Sequence, residues 1–221
     1  MNRIPEPELM NDAAQAQAYA HADFAAPHQQ FIDTFQERFA GLDISDAVLD
    51  LGCGPADISR RFALAYPHCT LHAVDGASHM LAHARRLNQQ QGLAQRIVLI
   101  EGTLPGVTLP QDFYHTIISN SLLHHLHDPF VLWQTLRQYA KASAHIFIMD
   151  LMRPDSAATA AQLVTTYAAS EPHILQEDFY HSLLAAFTPR EVQHQLEEMA
   201  MSHLRVEEVS DRHMIIYGCL N

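Results

Sequence analysis

The sequence predicts a doubly wound α/β domain with a mostly parallel, seven-stranded sheet that ends in an antiparallel hairpin. Three observations predict it. Short apolar runs alternate with helix-period segments from Val48 to Leu151. The first apolar run passes directly into a glycine loop, Gly52-Cys53-Gly54. The last two runs, 204–209 and 213–219, are joined only by Ser210-Asp211-Arg212. So short a link forces antiparallel pairing.

Residues 12–40 read as an N-terminal helical cap, with Phe24, Phe31, Ile32, Phe35 and Phe39 at spacings of mostly three and four. Pro27 is expected to split it, and Gly41 to end it as a C-cap. Val48 to Leu51 is the first strand, and Ile58 to Tyr66 a helix that stops before Pro67. Thr70 to Val74 is a strand. Ser78 to Gln91 is a helix with Met80, Leu81, Ala84 and Leu87 on one face. Ile97 to Ile100 and Thr116 to Ser119 are strands, and Asp128-Pro129 opens the next helix. His145 to Leu151 is the fifth strand. Residues 155–187 exceed an ordinary connection and hold two helical stretches, which read as a lid or a dimer contact. Thr188-Pro189-Arg190-Glu191 is a capping box that starts a helix to about Ala200.

Composition narrows the function. The 221 residues, 48% hydrophobic, suit one domain over 1–221, with 1–41 as cap and 155–187 as insertion. With 25 acidic residues against 13 basic, the net charge of −12 disfavours binding to nucleic acid or an anionic membrane. No apolar stretch is long enough to span a bilayer, and Met1 to Asp12 lacks the apolar block of a signal peptide. Cys53, Cys69 and Cys219 stand apart, so a cytoplasmic protein with reduced thiols is expected. The 16 histidines are scattered. His124, His125 and His127 do not converge in a regular helix, so no metal centre is expected.

The loop after the first strand carries the chemistry. Asp50-Leu51-Gly52-Cys53-Gly54 leads into a helix, where glycines permit a sharp turn and close approach of a ligand. The helix start offers free N–H groups to an anion. Asp75, at the tip of the second strand and about 20 positions on, suits the hydroxyls of a ribose. The plainer alternative is that both acids serve as turn or capping residues. Cys53 reads as a small packing residue of the loop.

VLDLGCGPADIS (48–59) resembles the first motif of the class I S-adenosylmethionine methyltransferases. AVDGASHML (73–81) is similar to the second. TIISNSLLHHLHDP (116–129) resembles the fourth strand and its loop, and HIFIMDLMRP (145–154) the fifth. The closing hairpin fits the family's antiparallel seventh strand. The resemblance implies S-adenosylmethionine as cofactor. It implies that Asp50 and the backbone of Gly52 hold the methionine amino group, and that Gly54 lets the chain pass beneath the cofactor. It places Asp75 on the ribose, Gly76 and Met80 against the adenosine, and Asn120 and Ser121 beside the sulfonium. Glu101-Gly102-Thr103-Leu104 departs from the family's Asp after the third strand, so Gly102 and Thr103 are the expected adenine contacts. Tyr19 lies in a helix that in many relatives covers the cofactor carboxylate.

The expected acceptor is a small molecule, methylated on oxygen, nitrogen or carbon. His125 or His181 would take a proton from it. Tyr19, His124, Arg153, Tyr167 and Tyr180 would line its pocket, with Phe179 in the insertion. A homodimer is a further possibility. The alternatives are a tRNA-directed methyltransferase and a non-catalytic subunit that binds the cofactor. A nicotinamide-dependent oxidoreductase is disfavoured, because Gly-Cys-Gly-Pro lacks the third glycine of the dinucleotide fingerprint.

Overall fold

A computed structural model describes residues 1–7, 19, 22 and 24–220. The helical expectation for residues 12–23 therefore lies outside the described residues, save at Tyr19 and Ala22. The described strands are β1 (Ala47–Leu51), β2 (Thr70–Asp75), β3 (Ile97–Glu101), β4 (Tyr114–Asn120), β5 (Ala140–Leu151), β6 (Arg205–Glu208) and β7 (His213–Cys219). The helices are α1 (Ala25–Arg38), α2 (Asp57–Ala65), α3 (Ser78–Gln90), α4 (Phe130–Tyr139), α5 (Ala157–Tyr167), α6 (His173–Ala185) and α7 (Pro189–Glu198). The sheet order is β3-β2-β1-β4-β5-β7-β6. The first five strands pair in parallel; β7 runs antiparallel to both β5 and β6.

Alternation along the strands builds a core on each face. Leu49 and Leu51 of β1, Ile146 and Ile148 of β5, and Met214 and Ile216 of β7 join Trp133 of α4 and Leu196 of α7. Val48, Phe147, Met149 and Ile215, their neighbours along the same strands, join Phe31 and Phe35 of α1 and Phe62 of α2. Successive side chains of a strand point to opposite faces, so every central strand supplies both cores.

The helical piece expected before Pro27 lies outside the described residues, save at Tyr19 and Ala22, and α1 begins at Ala25, two residues before the proline. Pro27 sits in the first turn of α1, where its missing N–H has no intrahelical partner to lose. Gly41, at φ +81°, turns the chain just beyond that helix. The capping box of α7 is present: Thr188 Oγ1 accepts from Glu191 N at 3.3 Å, and Glu191 Oε2 accepts from Thr188 N at 2.8 Å.

The N-terminal residues do something the sequence did not signal. Ile4 N donates to Leu184 O at 3.0 Å. The Arg3 guanidinium donates to His124 O at 2.8 Å and Leu126 O at 2.9 Å, and lies 4.0 Å over the Phe187 ring. Residues 1–7 thus form a strap that ties the end of α6 to the loop after β4.

Candidate active site

The loop from Gly52 to Ala56 is held by its neighbours before any ligand is considered. Gly52 N and Cys53 N both donate to Val74 O at 2.9 Å, which pins the turn to the end of β2. Gly52, at φ +73°, needs a left-handed backbone, and a Cβ there would meet Leu122 Cβ at 2.9 Å. Gly54, at φ +52°, differs: a Cβ there has nothing within 4 Å. The Asp75 carboxylate accepts from Gly54 N and from Ala77 N, each at 2.7 Å. It therefore organises the loop from the next strand.

Burial dominates the electrostatics. The Asp50 side chain is buried and accepts a short hydrogen bond from the Ser59 hydroxyl. Burial pushes its pKa up to about 7; Ser59 opposes the shift and the charge of Asp75 adds to it. Asp75 is also raised by burial, against the two backbone donors. Burial lifts the Cys53 thiol well above its ordinary range, so it stays protonated, as a packing residue should.

These groups open onto a cavity of about 610 Å³ beyond the carboxyl ends of β1, β2 and β4, the usual ligand position in an open α/β sheet. Asp50, Gly52, Cys53, Gly54, Asp75 and Gly76 line it. So do Met80, Gly102, Thr103, Asn120 and Ser121. Its roof comes from the insertion, through Leu175, Asp178, Phe179 and Ser182 of α6. Tyr19 and Phe24 close another side, with ring centroids 4.7 Å apart.

A family model described as a methyltransferase domain matches residues 48–145. The chain carries the methyltransferase domain of that family over this stretch, a little under half of its length. Malonyl-[acyl-carrier protein] O-methyltransferase of Legionella pneumophila is 24% identical over 144 residues, 65% of this chain and 48% of that protein. The chain thus spans about half the length of this curated relative. Among solved structures, an SAM-dependent methyltransferase from Aquifex aeolicus superposes with a TM-score of 0.69 at 18% identity, covering 95% of this chain and 99% of that one. The plantazolicin methyltransferase BpumL, in complex with a desmethylPZN analogue and SAH, gives 0.73 at 13% identity, covering 95% and 92%. At these identities the two structures show the fold.

The structure sorts the remaining candidates of the methyltransferase domain. His124, His125 and Tyr167 line the same cavity as the glycine loop. Tyr167 sits at the rim, its hydroxyl on Asp211 at 2.7 Å and the Arg212 guanidinium 3.4 Å over its ring. Arg153, Tyr180 and His181 do not line the cavity. The Arg153 guanidinium is turned inward, donating to Ala186 O at 3.0 Å and to Glu191 at 2.5 Å. Residues 175, 178, 179 and 182 form the cavity face of α6 at spacings of three and four. Tyr180 and His181 therefore project elsewhere, towards a shallow cleft against α5.

His124 and His125 do converge, against expectation. They lie in a 3₁₀ turn, Leu123–His125, with ring centroids 4.2 Å apart. Burial first, and then the neighbouring His124, lowers the His125 pKa to about 3. Its ring is neutral at pH 7: it offers a lone pair, and the lowered pKa makes it a weaker base than an ordinary imidazole.

Two acidic positions beside the candidate site carry no expectation from the sequence. Asp150 is buried and accepts from Leu123 N and Leu151 N, both at 2.8 Å, and faces His124 Nδ1 at 2.6 Å. An acid inside the apolar run IFIMDLM was a readable signal of a satisfied buried carboxylate. Glu6 lies 3.3 Å from His125 Nδ1, and no local pattern points to it.

Proposed function

We propose that this chain is a methyltransferase that takes a methyl group from S-adenosylmethionine and passes it to a small-molecule acceptor. The observation that carries the reading is the union of Asp75, Gly54 and Asp50 in one cavity with Asn120 and Ser121. The open space beyond a Gly54 Cβ and the acid at the tip of β2 fit a nucleoside lying across the loop. S-adenosylmethionine supplies an activated methyl carbon, so the protein's part is to position the acceptor and exclude water. In this reading Asp50 and the Gly52 backbone take the amino group, and Asp75 the ribose. Gly76, Met80, Gly102 and Thr103 take the adenosine, with Asn120 and Ser121 near the sulfonium.

A small acceptor is favoured because α6 roofs the cavity, and because the net charge of −12 repels a polyanion. The molecules named for the similar proteins, malonyl-[acyl-carrier protein] and a pentazolic desmethylPZN analogue, are chemically unlike each other. Among the described residues no helix is long and apolar enough to cross a membrane. Incubation with methyl-labelled S-adenosylmethionine and a metabolite extract, followed by mass spectrometry, tests the reading. A labelled small product is expected; label found only on RNA would overturn the choice of acceptor.

Two predictions follow from the carboxylates. Replacing Asp75 by alanine should weaken S-adenosylhomocysteine binding by about 10- to 100-fold, or about 1–3 kcal/mol, the scale of charged hydrogen bonds. Calorimetry checks this, and unchanged affinity would remove Asp75 from the site. The second concerns pH. In the cofactor-free protein Asp50 titrates at about 7, above its ordinary 3.8. A cationic amino group favours the ionised form, so below pH 7 binding must first expel a proton. Cofactor affinity should then fall by about tenfold per unit as the pH drops below 7, with proton release on binding. For folding the sign is opposite. The folded state binds the extra proton between about pH 4 and 7, so Asp50 reduces stability as the pH rises through that window. Affinity that stays flat from pH 5.5 to 8 would contradict the Asp50 assignment.

A further inference from the structure

Glu6, His124 and His125 meet beside the cavity from stretches remote in sequence. The His125 ring hydrogen-bonds the backbone at Pro7. Proline has no N–H, so the ring donates to that carbonyl. Its buried Nδ1 has no hydrogen-bond partner and therefore carries a lone pair. His124 Nδ1 faces Asp150 Oδ1 at 2.6 Å. Against the effect of burial, the Asp150 and Glu6 carboxylates raise the His124 pKa, so an ion bound here displaces a proton: in the neutral ring Nδ1 is the donor, which leaves a second lone pair on Nε2. Glu6 Oε1 lies 3.3 Å from the first lone pair and 3.6 Å from the second. Three acceptor atoms thus converge within 4.8 Å of one another. The Ser182 hydroxyl donates to the same Glu6 Oε1 at 3.0 Å and holds it in place, using one of its lone pairs.

We propose that Glu6 Oε1, His124 Nε2 and His125 Nδ1 bind a divalent metal ion, with zinc the best match. Ligand bonds of about 2.0–2.1 Å at tetrahedral angles separate the donor atoms by about 3.4 Å, and the two distances from Glu6 Oε1, 3.3 and 3.6 Å, bracket that value. Asp150 stands behind His124 as the carboxylate that orients a metal-binding imidazole. Charge agrees. Glu6, Asp150 and Asp178 are acidic groups around the cluster, Arg3 is basic, and Arg153 is committed to Glu191. The surplus is negative. Both histidine rings line the cavity, so the fourth position of the ion opens towards it, as in a catalytic rather than a structural site. The ligand class for that position is an acceptor oxygen, from a hydroxyl, enol or carboxylate, made more acidic by the ion. This role rests on the methyltransferase reading; ion binding itself does not.

The test is zinc titration of the chelator-stripped full chain by calorimetry, with cobalt(II) absorption as the second readout. Wild type should bind one equivalent and give the intense visible bands of tetrahedral cobalt. Glu6→Gln and His125→Gln should each lose at least about tenfold in zinc affinity. His124 is left unchanged because its loss would strand Asp150. A control, His194→Gln, removes an exposed histidine that pairs with Glu198 and should bind zinc like wild type. No stoichiometric zinc in wild type means that a shared proton holds the cluster, and overturns the site. Undiminished affinity in either Gln variant places the zinc elsewhere and overturns it too. S-adenosylhomocysteine binding to the metal-free protein reports separately on the cofactor reading.

Discussion

Gly52→Val is expected to bring cofactor binding below detection by calorimetry and to lower stability by about 2–5 kcal/mol. Two costs add. A β-branched residue at φ +73° occupies backbone space that it rarely enters. Its Cβ would also stand 2.9 Å from Leu122 Cβ and 3.0 Å from Leu122 Cδ1. Leu122 follows Asn120 and Ser121, so its displacement moves a second wall of the cavity. The obstacle is therefore the protein's own loop and not only the ligand's path. Gly54→Ala separates the two effects: its added methyl meets no protein atom within 4 Å, so the fold should survive with about 1 kcal/mol of backbone strain while binding weakens. Thermal melting with calorimetry on both variants checks this. Normal binding by Gly52→Val would detach the loop from the site.

Asp150→Ala should destabilise the fold by about 3–5 kcal/mol, the range for removing one member of a buried charged network. The carboxylate is 1% exposed and serves Leu123 N, Leu151 N and His124 together. Without it, two buried N–H groups and an imidazole lose their partner, and the 3₁₀ turn loses its anchor to β5. Asp150→Asn retains one acceptor oxygen for a backbone N–H and should cost clearly less. Urea unfolding measures both. A loss within about 0.5 kcal/mol for the alanine variant, the scale of a surface change, would show that water replaces the carboxylate.

Local pattern reached far in this chain. Seven apolar runs became seven strands, and His213 to Cys219 was bounded to the residue. The glycine loop was legible because a turn between strand and helix needs those residue types within a few positions, and Asp50 and Asp75 were singled out by motifs that resemble those of the methyltransferases. What failed was side-chain direction at a distance. Arg153 was expected at the pocket, yet Glu191 of α7 draws it inward. His181 and Tyr180 fell on the wrong face of α6 because the cavity face could not be chosen before the helix was docked.

The sequence alone determined the order of elements, the antiparallel ending and the acid–glycine cradle. Each depends on periodicity or on neighbours close along the chain. Tertiary structure alone decided that Glu6 reaches His124 and His125 and that Asp150 anchors their turn. It also decided that Leu122 constrains Gly52. Those contacts join residues tens to more than a hundred positions apart, and they arise only when helices and strap close over the ends of the strands.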